Sequence, residues 1–342
     1  MQTIHIKTAT DRYSQILAGE DFTKLQNHLP SQNVIVIIDE NIFDLYPFFR
    51  NFNCIKIHAS EDKKTLETVE DIISKLIELQ ADRSTFIVGA GGGITCDIAG
   101  FSASVYMRGL QFGFISTSLL SQADASIGGK NGVNFNGFKN MIGTFNQPEF
   151  VICDTNMLDT LPQNEFTGGL SEIVKIALIK DCKMFDFIEY HADAIVQRNK
   201  TVLQELIAKS IQHKADIIAK DEFEKGERRI LNFGHTLAHA IERHSDISHG
   251  FAVSIGIMFA ATISKHLDLI SNNDVVRIKN LLSKLGLPVH TNIDSKMLCK
   301  AIIADKKKND DEIHFILIQA IGKSSEKSIK INDFKNLVSI FK

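Results

Sequence analysis

Residues 1–160 alternate between short continuous apolar runs and stretches with helical spacing. The run VIVIID (34–39) is apolar almost throughout, which is typical of a strand buried on both faces. Further strands are predicted over 54–59, 84–93, 112–117 and 149–155, and helices over 66–77 and 94–105. Because strands and helices alternate, this half predicts a mainly parallel, doubly wound α/β sheet.

The pattern changes after Leu161-Pro162, where long segments with helical spacing replace the alternation. Helices are predicted over 167–180, 201–220, 235–245, 251–267 and 274–285, and only EIHFILIQAIGK (312–323) has the pattern of a strand. We therefore predict two domains, an α/β domain over 1–160 and a mostly helical domain over 161–342.

Composition narrows the class of protein. A chain of 342 residues suits two domains, and a net charge of −3 gives no electrostatic reason to expect nucleic acid or an acidic membrane as partner. The five cysteines form no CxxC pair, so neither a disulfide framework nor a thiolate zinc site is indicated. The longest nearly apolar run, 251–263, is too short to span a bilayer. These features favour a soluble, cytoplasmic protein.

Two glycine-rich segments are candidates for phosphate binding. IVGAGGGITCD (87–97) places four glycines between a predicted strand and helix, where backbone amides can approach a pyrophosphate. The alternative is a tight turn, but the entropy cost of three consecutive glycines favours a nucleotide. The polar segment 128–140 contains Lys130, Lys139 and Asn140, and Arg108 precedes it. We interpret it as a loop that either holds a phosphate or is simply solvated.

Three charged residues fall among aliphatic side chains on predicted helices. Glu172 and Lys175 lie close together with Ile176 and Ile179 on the helix 168–180, and from this helix alone a structural i,i+3 salt bridge is favoured. Lys214 continues an apolar stripe, so it either extends its ammonium to solvent or serves a site.

The segment 228–250 contains His235, His239, His244 and His249. His235 and His239 are four residues apart on one helix face, a spacing that suits a zinc pair. Because no glutamate follows His235, the HExxH metalloprotease motif is absent. Spacing alone therefore predicts a metal held by His235 and His239, with His244 as a structural histidine.

Several long motifs in order resemble those of the 3-dehydroquinate synthases, in the sugar-phosphate cyclase superfamily, over nearly the whole chain. They are SEDKK (60–64), GAGGGITCDIAGF (89–101), YMRG (106–109), STSLLSQADASIGGK (116–130), FKNMIGTFNQPEFVICD (138–154), GGLSEIVK (168–175), RRILNFGHTLAHAIE (228–242), SHGFAVSIG (248–256) and ADKKK (304–308). The resemblance implies a Rossmann-like NAD-binding domain followed by a helical metal-binding domain. Cys96 departs from the family's pattern, which has glycine there.

The resemblance also implies roles for individual residues. The ligands of Zn²⁺, which Co²⁺ can replace, would be Glu172, His235 and His249, while His239 would face the substrate. NAD would contact Asp39, Glu61, Lys64, Gly92, Gly93, Ile94, Thr95, Cys96, Asp97, Thr117, Ser118, Lys130, Lys139 and Thr160. Substrate would contact Asp124, Lys130, Asn140, Lys175, Lys214, Glu224, Arg228, Asn232, His239 and either Lys306 or Lys307. Arg108 would reach the site of a second subunit, which implies a homodimer.

The implied reaction is the cyclisation of 3-deoxy-D-arabino-heptulosonate 7-phosphate to 3-dehydroquinate with release of phosphate, and NAD is not consumed. Cyclases acting on sedoheptulose 7-phosphate or glucose 6-phosphate are the nearest alternative, but those substrates lack the carboxylate that Lys214 and Arg228 would bind. A metal-dependent polyol dehydrogenase, which would release NADH, is a second alternative. A binding protein without activity is the least favoured, because every implied site residue is present.

Overall fold

The structure is a computed structural model that describes residues 1–8, 10–30, 32–306 and 312–340. The chain divides into two compact units. The first consists of Met1–Leu161 with Lys214–Phe223, and the second of Pro162–His213 with Glu224–Lys342.

Among its described residues, the first unit contains nine strands, and three α-helices lie wholly within it. The strands are β1 (Gln2–Lys7), β2 (Tyr13–Ala18), β3 (Val34–Asp39), β4 (Asn53–Ile57), β5 (Phe86–Gly91), β6 (Phe112–Ser116), β7 (Lys130–Phe135), β8 (Phe138–Phe145) and β9 (Phe150–Cys153). The helices are α1 (Glu40–Leu45), α2 (Leu66–Glu78) and α3 (Gly93–Val105).

Seven of these strands form one sheet in the order β1-β2-β9-β6-β5-β3-β4. Only β1 and β2 pair in antiparallel orientation, so the mainly parallel sheet that the sequence predicts is confirmed. Every residue of the apolar run Val34–Ile38 is buried, as expected for a strand covered on both faces.

The order of the strands reverses between β3 and β5. The chain leaves β3 for β4 on one side, and it leaves β5 for β6 on the other. Ligands of parallel α/β sheets bind beyond the carboxyl ends of strands at such a reversal. Asp39 ends β3 and Gly91 ends β5, so both lie at the edge where a ligand is expected.

The interpretation of 128–140 as a loop is wrong. The antiparallel strands β7 and β8 form a hairpin there. Its turn is Asn136-Gly137, with φ of 49° and 79°, the left-handed backbone that two-residue hairpin turns require. Polar residues and glycines occupy many positions of these two strands, so the alternation of apolar and polar residues that normally identifies a strand is absent.

The second unit is mostly helical, as predicted. Its described helices are α4 (Gln163–Lys180), α5 (Cys182–Val196), α6 (Lys200–Lys220, assigned to the first unit from Lys214), α7 (His235–Glu242), α8 (His249–His266), α9 (Asn272–Lys284), α10 (Ser295–Lys306) and α11 (Ile331–Ile340). The prediction of a single strand is wrong, because β10 (Glu312–Ala320) pairs with β11 (Lys323–Lys330). Strand β11, KSSEKSIK, has one buried residue, Ile329, so it lacks an apolar pattern.

Helix α8 packs against α4 and α7 through glycines. A Cβ atom at Gly250 would overlap the backbone carbonyl of Gly168, and a Cβ at Gly256 would overlap the carbonyl of Gly234. Only a residue without a side chain permits so close an approach of two backbones. The start of α8 is therefore held directly against α4, and its second turn is held against Gly234, the residue that precedes α7.

Among the described residues, no helix combines the length and the apolar character needed to cross a membrane.

Candidate functional site

The glycine turn of the first unit leads directly into the start of α3. Gly92 is the N-cap of α3, no side chain caps this end of the helix, and its first turn contains no acidic residue. The first amides of a helix lack partners within the helix, and the helix dipole favours an anion there. This end of α3 therefore fits a phosphate group.

The predicted cofactor residues from Gly92 to Asp97 all lie at this helix start. The thiol of Cys96 is buried beside the Gly91 carbonyl, 3.8 Å away, and burial raises its pKa far above the usual range. A thiol with a raised pKa is unreactive, so the departure from glycine at this position adds no nucleophile.

Other predicted cofactor residues surround the same edge of the sheet. Asp39 caps α1 by accepting a hydrogen bond from the Asn41 amide at 3.0 Å, and burial raises the pKa of its carboxyl. After β6, the Thr117 amide donates to the Gly91 carbonyl at 2.9 Å, with Ser118 next in the chain. Thr160 is exposed, and its hydroxyl lies 2.9 Å from the Tyr46 hydroxyl.

Lys64 is the centre of a polar network in this unit. Its side chain is 6% exposed, and its ammonium donates to the Asp97 carboxylate and, at 2.6 Å, to the Asn140 side-chain oxygen. Burial raises the pKa of the Asp97 carboxyl, and the Lys64 ammonium opposes that shift. The Lys139 ammonium is 3.9 Å from the Glu61 carboxylate. Five predicted site residues thus converge.

Lys214 pairs with Asp124 rather than with solvent. The Lys214 ammonium donates to the Asp124 carbonyl at 2.8 Å and contacts the Asp124 carboxylate. Only 8% of the Lys214 side chain is exposed. Asp124 lies in a single π-helical turn, Ser121–Ala125, a conformation that often marks functional positions.

The remaining predicted residues of the first unit are at its surface. Lys130 begins β7 and is exposed. Arg108 is exposed in a kink after α3, where Met107 and Arg108 have φ of 49° and 71°. Left-handed backbone is costly for residues with a Cβ, so this kink is a strained feature.

In the second unit, a carboxylate and two imidazoles form a compact cluster. The Oε1 atom of Glu172 is 3.5 Å from His235 Nε2 and 3.3 Å from His249 Nε2. One donor atom from each residue lies within 4.8 Å of the others, and no other such set occurs among the described residues. Tetrahedral zinc with ligand bonds of about 2.0 Å needs donor atoms roughly 3.3 Å apart, so the three residues fit the ion.

The charges of the cluster also suit a cation. Burial alone would raise the pKa of Glu172, but the Lys175 ammonium and the His235 imidazole hold it well below the usual range. Burial would lower the pKa of His249, whereas hydrogen bonds to Glu172 and Glu242 raise it to about 9. The buried carboxylate therefore draws positive charge toward itself.

The histidines are arranged differently from the i,i+4 prediction. His249 is the first residue of α8, two residues before the predicted start of this helix, and its ring lies 5.6 Å from the His235 ring. The His239 ring is 5.7 Å from the His235 ring, but His239 is exposed and does not belong to the cluster. His244 is exposed. The structure thus brings together the three residues that the resemblance implies.

The other predicted residues of the second unit include two that are almost fully buried. Lys175 contacts the second carboxylate oxygen of Glu172, which is the i,i+3 pair considered from the sequence. Arg228 is 2% exposed and is among the largest fully buried side chains. Asn232 donates to the Glu224 carboxylate. Lys306 ends α10, but its side chain lies outside the described part, as does all of Lys307.

Sequence reasoning missed Glu242. Its side chain is 4% exposed, and its Oε1 atom is 3.2 Å from His249 Nδ1, on the side of the ring opposite Glu172. Carboxylates at this position commonly orient metal-binding histidines. The available signal was its place seven residues after His235, two turns along the same helix face.

Comparison with known proteins agrees with this geometry. Residues 54–168 match the family model of the 3-dehydroquinate synthase N-terminal domain, and residues 169–308 match that of the C-terminal domain. The chain is 38% identical to a 3-dehydroquinate synthase of Ruminiclostridium cellulolyticum, covering 97% of this chain and 96% of that one. It is 41% identical to the enzyme of Coxiella burnetii, over 89% of this chain and 88% of that one.

Among solved structures, the chain is similar to 2-deoxy-scyllo-inosose synthase complexed with carbaglucose-6-phosphate, NAD⁺ and Co²⁺, with 28% identity, a TM-score of 0.87 and full coverage of both chains. An NADH-dependent butanol dehydrogenase of Thermotoga maritima shares only the fold, with 12% identity, a TM-score of 0.68, and coverage of 100% of this chain and 98% of that one. From the two family models and the curated relatives, the chain belongs to the 3-dehydroquinate synthase family.

Proposed function

We propose that this protein is a carbon–oxygen lyase that converts 3-deoxy-D-arabino-heptulosonate 7-phosphate to 3-dehydroquinate and phosphate, with NAD and Zn²⁺ as cofactors. The observation that carries the proposal is the cluster of Glu172, His235 and His249 in a chain that belongs to this family. Similarity to a cyclase solved with NAD⁺ and Co²⁺ supports both cofactors.

The first unit would hold NAD. The amides from Gly92 onward would bind the pyrophosphate, and the Asp39 carboxylate would accept hydrogen bonds from ribose hydroxyls. The other cofactor contacts would come from Glu61, Lys64, Thr117, Ser118, Lys130, Lys139 and Thr160. When bound, NAD supplies a reversible hydride acceptor. The protein's part is to orient the dinucleotide and to balance its negative charge.

The second unit would hold Zn²⁺ through Glu172, His235 and His249. When bound, the ion supplies a Lewis acid for a substrate hydroxyl oxygen. The Glu242 carboxylate would accept a hydrogen bond from the Nδ1–H of His249, which leaves Nε2 without a proton and able to act as a ligand. The Lys175 ammonium would offset the negative charge on the second carboxylate oxygen of Glu172, with which it forms an ion pair.

Arg228 would bind the substrate carboxylate. Its guanidinium is buried, and a charged group interacts more strongly with an anion in such surroundings than it does in water. A guanidinium can also grip a carboxylate with two parallel hydrogen bonds. This residue would favour the acid substrate over sedoheptulose 7-phosphate and glucose 6-phosphate, which have no carboxylate.

The other substrate contacts would be polar and charged groups of each unit. In the second unit they would be Lys175, Glu224, Asn232, His239 and Lys306 or Lys307. In the first they would be Asp124, Lys130, Asn140 and Lys214. Cationic side chains would offset the phosphate charge. We further propose a cytoplasmic homodimer, in which exposed Arg108 would serve a second subunit.

An assay with three substrates tests this function. Purified protein with NAD and Zn²⁺ is incubated with the heptulosonate phosphate, sedoheptulose 7-phosphate or glucose 6-phosphate. We expect phosphate and 3-dehydroquinate from the first substrate alone, no accumulation of NADH, and no activity after NAD is removed. NADH formed in proportion to product would instead favour the polyol dehydrogenase, and phosphate release from another sugar phosphate would favour a different cyclase.

Metal content tests the ligands separately from activity. After dialysis against a weak chelator, Glu172→Ala, His235→Ala and His249→Ala should each lose most of the bound zinc. His239→Ala should keep zinc and lose activity. If His239→Ala lost zinc while His249→Ala kept it, the i,i+4 pair would be the correct ligand pair.

A further inference from the structure

Asn134 connects two segments that carry predicted cofactor residues, although the sequence analysis gave it no role. Its side-chain amide donates to the Glu61 carboxylate at 2.8 Å and to the Glu61 carbonyl at 3.2 Å. Its backbone amide donates to the Lys64 carbonyl at 2.8 Å. Both ends of the segment Glu61–Lys64 are therefore fixed by this one residue of β7.

The side-chain oxygen of Asn134 forms a hydrogen bond with the opposite strand, β8. It accepts a hydrogen bond from the Asn140 backbone amide at 2.9 Å. The pairing of β7 with β8 is irregular here: Val133 pairs with Ile142 and Phe135 with Phe138. Three residues, 139–141, thus lie across from Asn134 alone. Bulges of this kind redirect side chains.

The bulge also contains an unfavourable backbone. Asn140 has φ of 52°, and such left-handed conformations persist when surrounding contacts hold them. The bond from Asn134 is a contact of this kind. It places the Asn140 side chain where its oxygen accepts from Lys64 at 2.6 Å. Lys139, next in the bulge, faces Glu61 at 3.9 Å.

We propose that Asn134 is a positioning residue for the dinucleotide, because it holds Glu61, Lys64, Lys139 and Asn140 in one arrangement. The inference rests on the proposed binding of NAD to the first unit. Asn134 need not touch the dinucleotide. Without the Asn134 side chain, its hydrogen bonds to Glu61 and Asn140 would be lost, and the side chains of these four residues could move apart.

The test measures the dissociation constant for NAD of the full chain by isothermal titration calorimetry, together with the melting temperature. Asn134→Ala should weaken NAD binding by about tenfold or more, because several side chains that it positions would no longer be held for the dinucleotide. Asn131→Ala is the matched control. Asn131 lies in the same strand and donates to the carbonyls of Gly129 and Asn146, at 3.0 and 2.9 Å. This variant should lower the melting temperature and leave NAD affinity within about twofold.

A double-mutant cycle with Glu61→Ala separates positioning from general destabilisation. If Asn134 acts partly through Glu61, the double variant should bind NAD better than the sum of the two single losses predicts. The isosteric Asn134→Asp replaces Asn134→Ala if the latter does not fold. It retains an acceptor for Asn140 but places a second carboxylate beside Glu61, so weaker binding of NAD is again expected.

Two outcomes would overturn the inference: NAD affinity of the Asn134 variant within about twofold of the parent, or losses that simply add in the cycle. Absence of NAD binding by the unmodified protein would instead contradict the proposed function. The two failures are therefore distinguishable in one set of titrations.

Discussion

The proposed cofactor region of the first unit and the cluster of Glu172, His235 and His249 in the second are assembled by different means. Around Lys64, the first relies on side-chain hydrogen bonds among segments that lie partly at the surface. Around Glu172, the second relies on helices whose backbones touch through glycine, and its carboxylate is 1% exposed. The region of the first unit depends on many separate side-chain hydrogen bonds. The cluster of the second unit depends on two helix backbones that approach so closely that only glycine fits between them.

This difference predicts unequal sensitivity to substitution. A lost hydrogen bond costs about 1 kcal/mol, so the first region should lose affinity gradually. A methyl group added between two packed helices forces one of them to move. A single substitution should therefore displace the side chains of the cluster in the second unit.

Gly250→Ala should have the largest effect. The added methyl would overlap the Gly168 carbonyl, and because this neighbour is backbone that cannot rotate away, the cost should exceed the roughly 1–3 kcal/mol of ordinary core overpacking. Helix α8 would have to move away from α4, so zinc content should fall together with the free energy of unfolding. Gly168→Ala is the control from the opposite side, because its methyl would be 3.7 Å from the Gly250 Cα. Denaturant titration should show that variant to be about as stable as the parent. If Gly168→Ala and Gly250→Ala lowered the free energy of unfolding equally, the predicted difference between the two sides of this contact would be wrong.

Arg228→Ala should follow in size, through activity more than folding. Loss of a bidentate contact to a carboxylate should cost on the order of 2–4 kcal/mol in transition-state binding. The measurement is kcat/KM for the heptulosonate phosphate, beside Arg228→Lys, which keeps the charge but not the planar fork. A decrease of less than about tenfold, or about 1.4 kcal/mol, would refute the carboxylate assignment.

Glu242→Ala should weaken zinc binding by about 10- to 100-fold, the usual cost of removing a group that orients a metal-binding histidine. Glu242→Gln keeps an acceptor for His249 Nδ1 and should lose less. Competition with a coloured chelator gives both affinities. Glu227→Ala, which removes an exposed partner of Lys180, is the control and should bind zinc like the parent. Parent-like affinity in Glu242→Ala would rule out the orienting role.

Thr160→Val should have the smallest effect. It removes the exposed hydroxyl that lies beside the Tyr46 hydroxyl and donates to the Met157 carbonyl, together with one predicted cofactor contact, so the free energy of NAD binding should weaken by about 0.5 kcal/mol, the low end for one hydrogen bond. Thr160→Ser, which keeps the hydroxyl, should bind NAD like the parent in the same calorimetric titration. A tenfold loss of NAD affinity from Thr160→Val, about 1.4 kcal/mol, would contradict the gradual response expected of exposed contacts in the first unit.

The parts of the fold that local pattern determines could be predicted from the sequence. Strand β3 occupies the residues of its apolar run, Val34–Asp39, and the glycine turn lies between β5 and α3. In both places the signal lies within a few neighbouring residues. The hairpin β7–β8 and strand β11 were missed because glycine or exposed polar residues replace the apolar alternation on which the prediction depends.

The candidate metal site likewise has one part that local spacing predicts and another that depends on the tertiary structure. The i,i+4 spacing identified a real helix face with His235 and His239, but spacing carries no information about helices that come from elsewhere in the chain. The approach of Glu172 and His249 depends on Gly168 and Gly250, 82 positions apart. Family resemblance, not local pattern, implied that grouping, and no signal short of the tertiary structure explains it physically.

The network around Lys64 has a consequence for how long the cofactor stays bound. Its ammonium is fixed by Asp97 and Asn140 through contacts within the protein itself, so the conformational entropy of these side chains is lost during folding rather than on association. A preorganised surface favours slow dissociation. Slow dissociation would hinder an ordinary dehydrogenase, which must exchange its dinucleotide in every turnover. An enzyme that regenerates the oxidised form in place needs no exchange, and a long residence time would keep it ready for the next substrate.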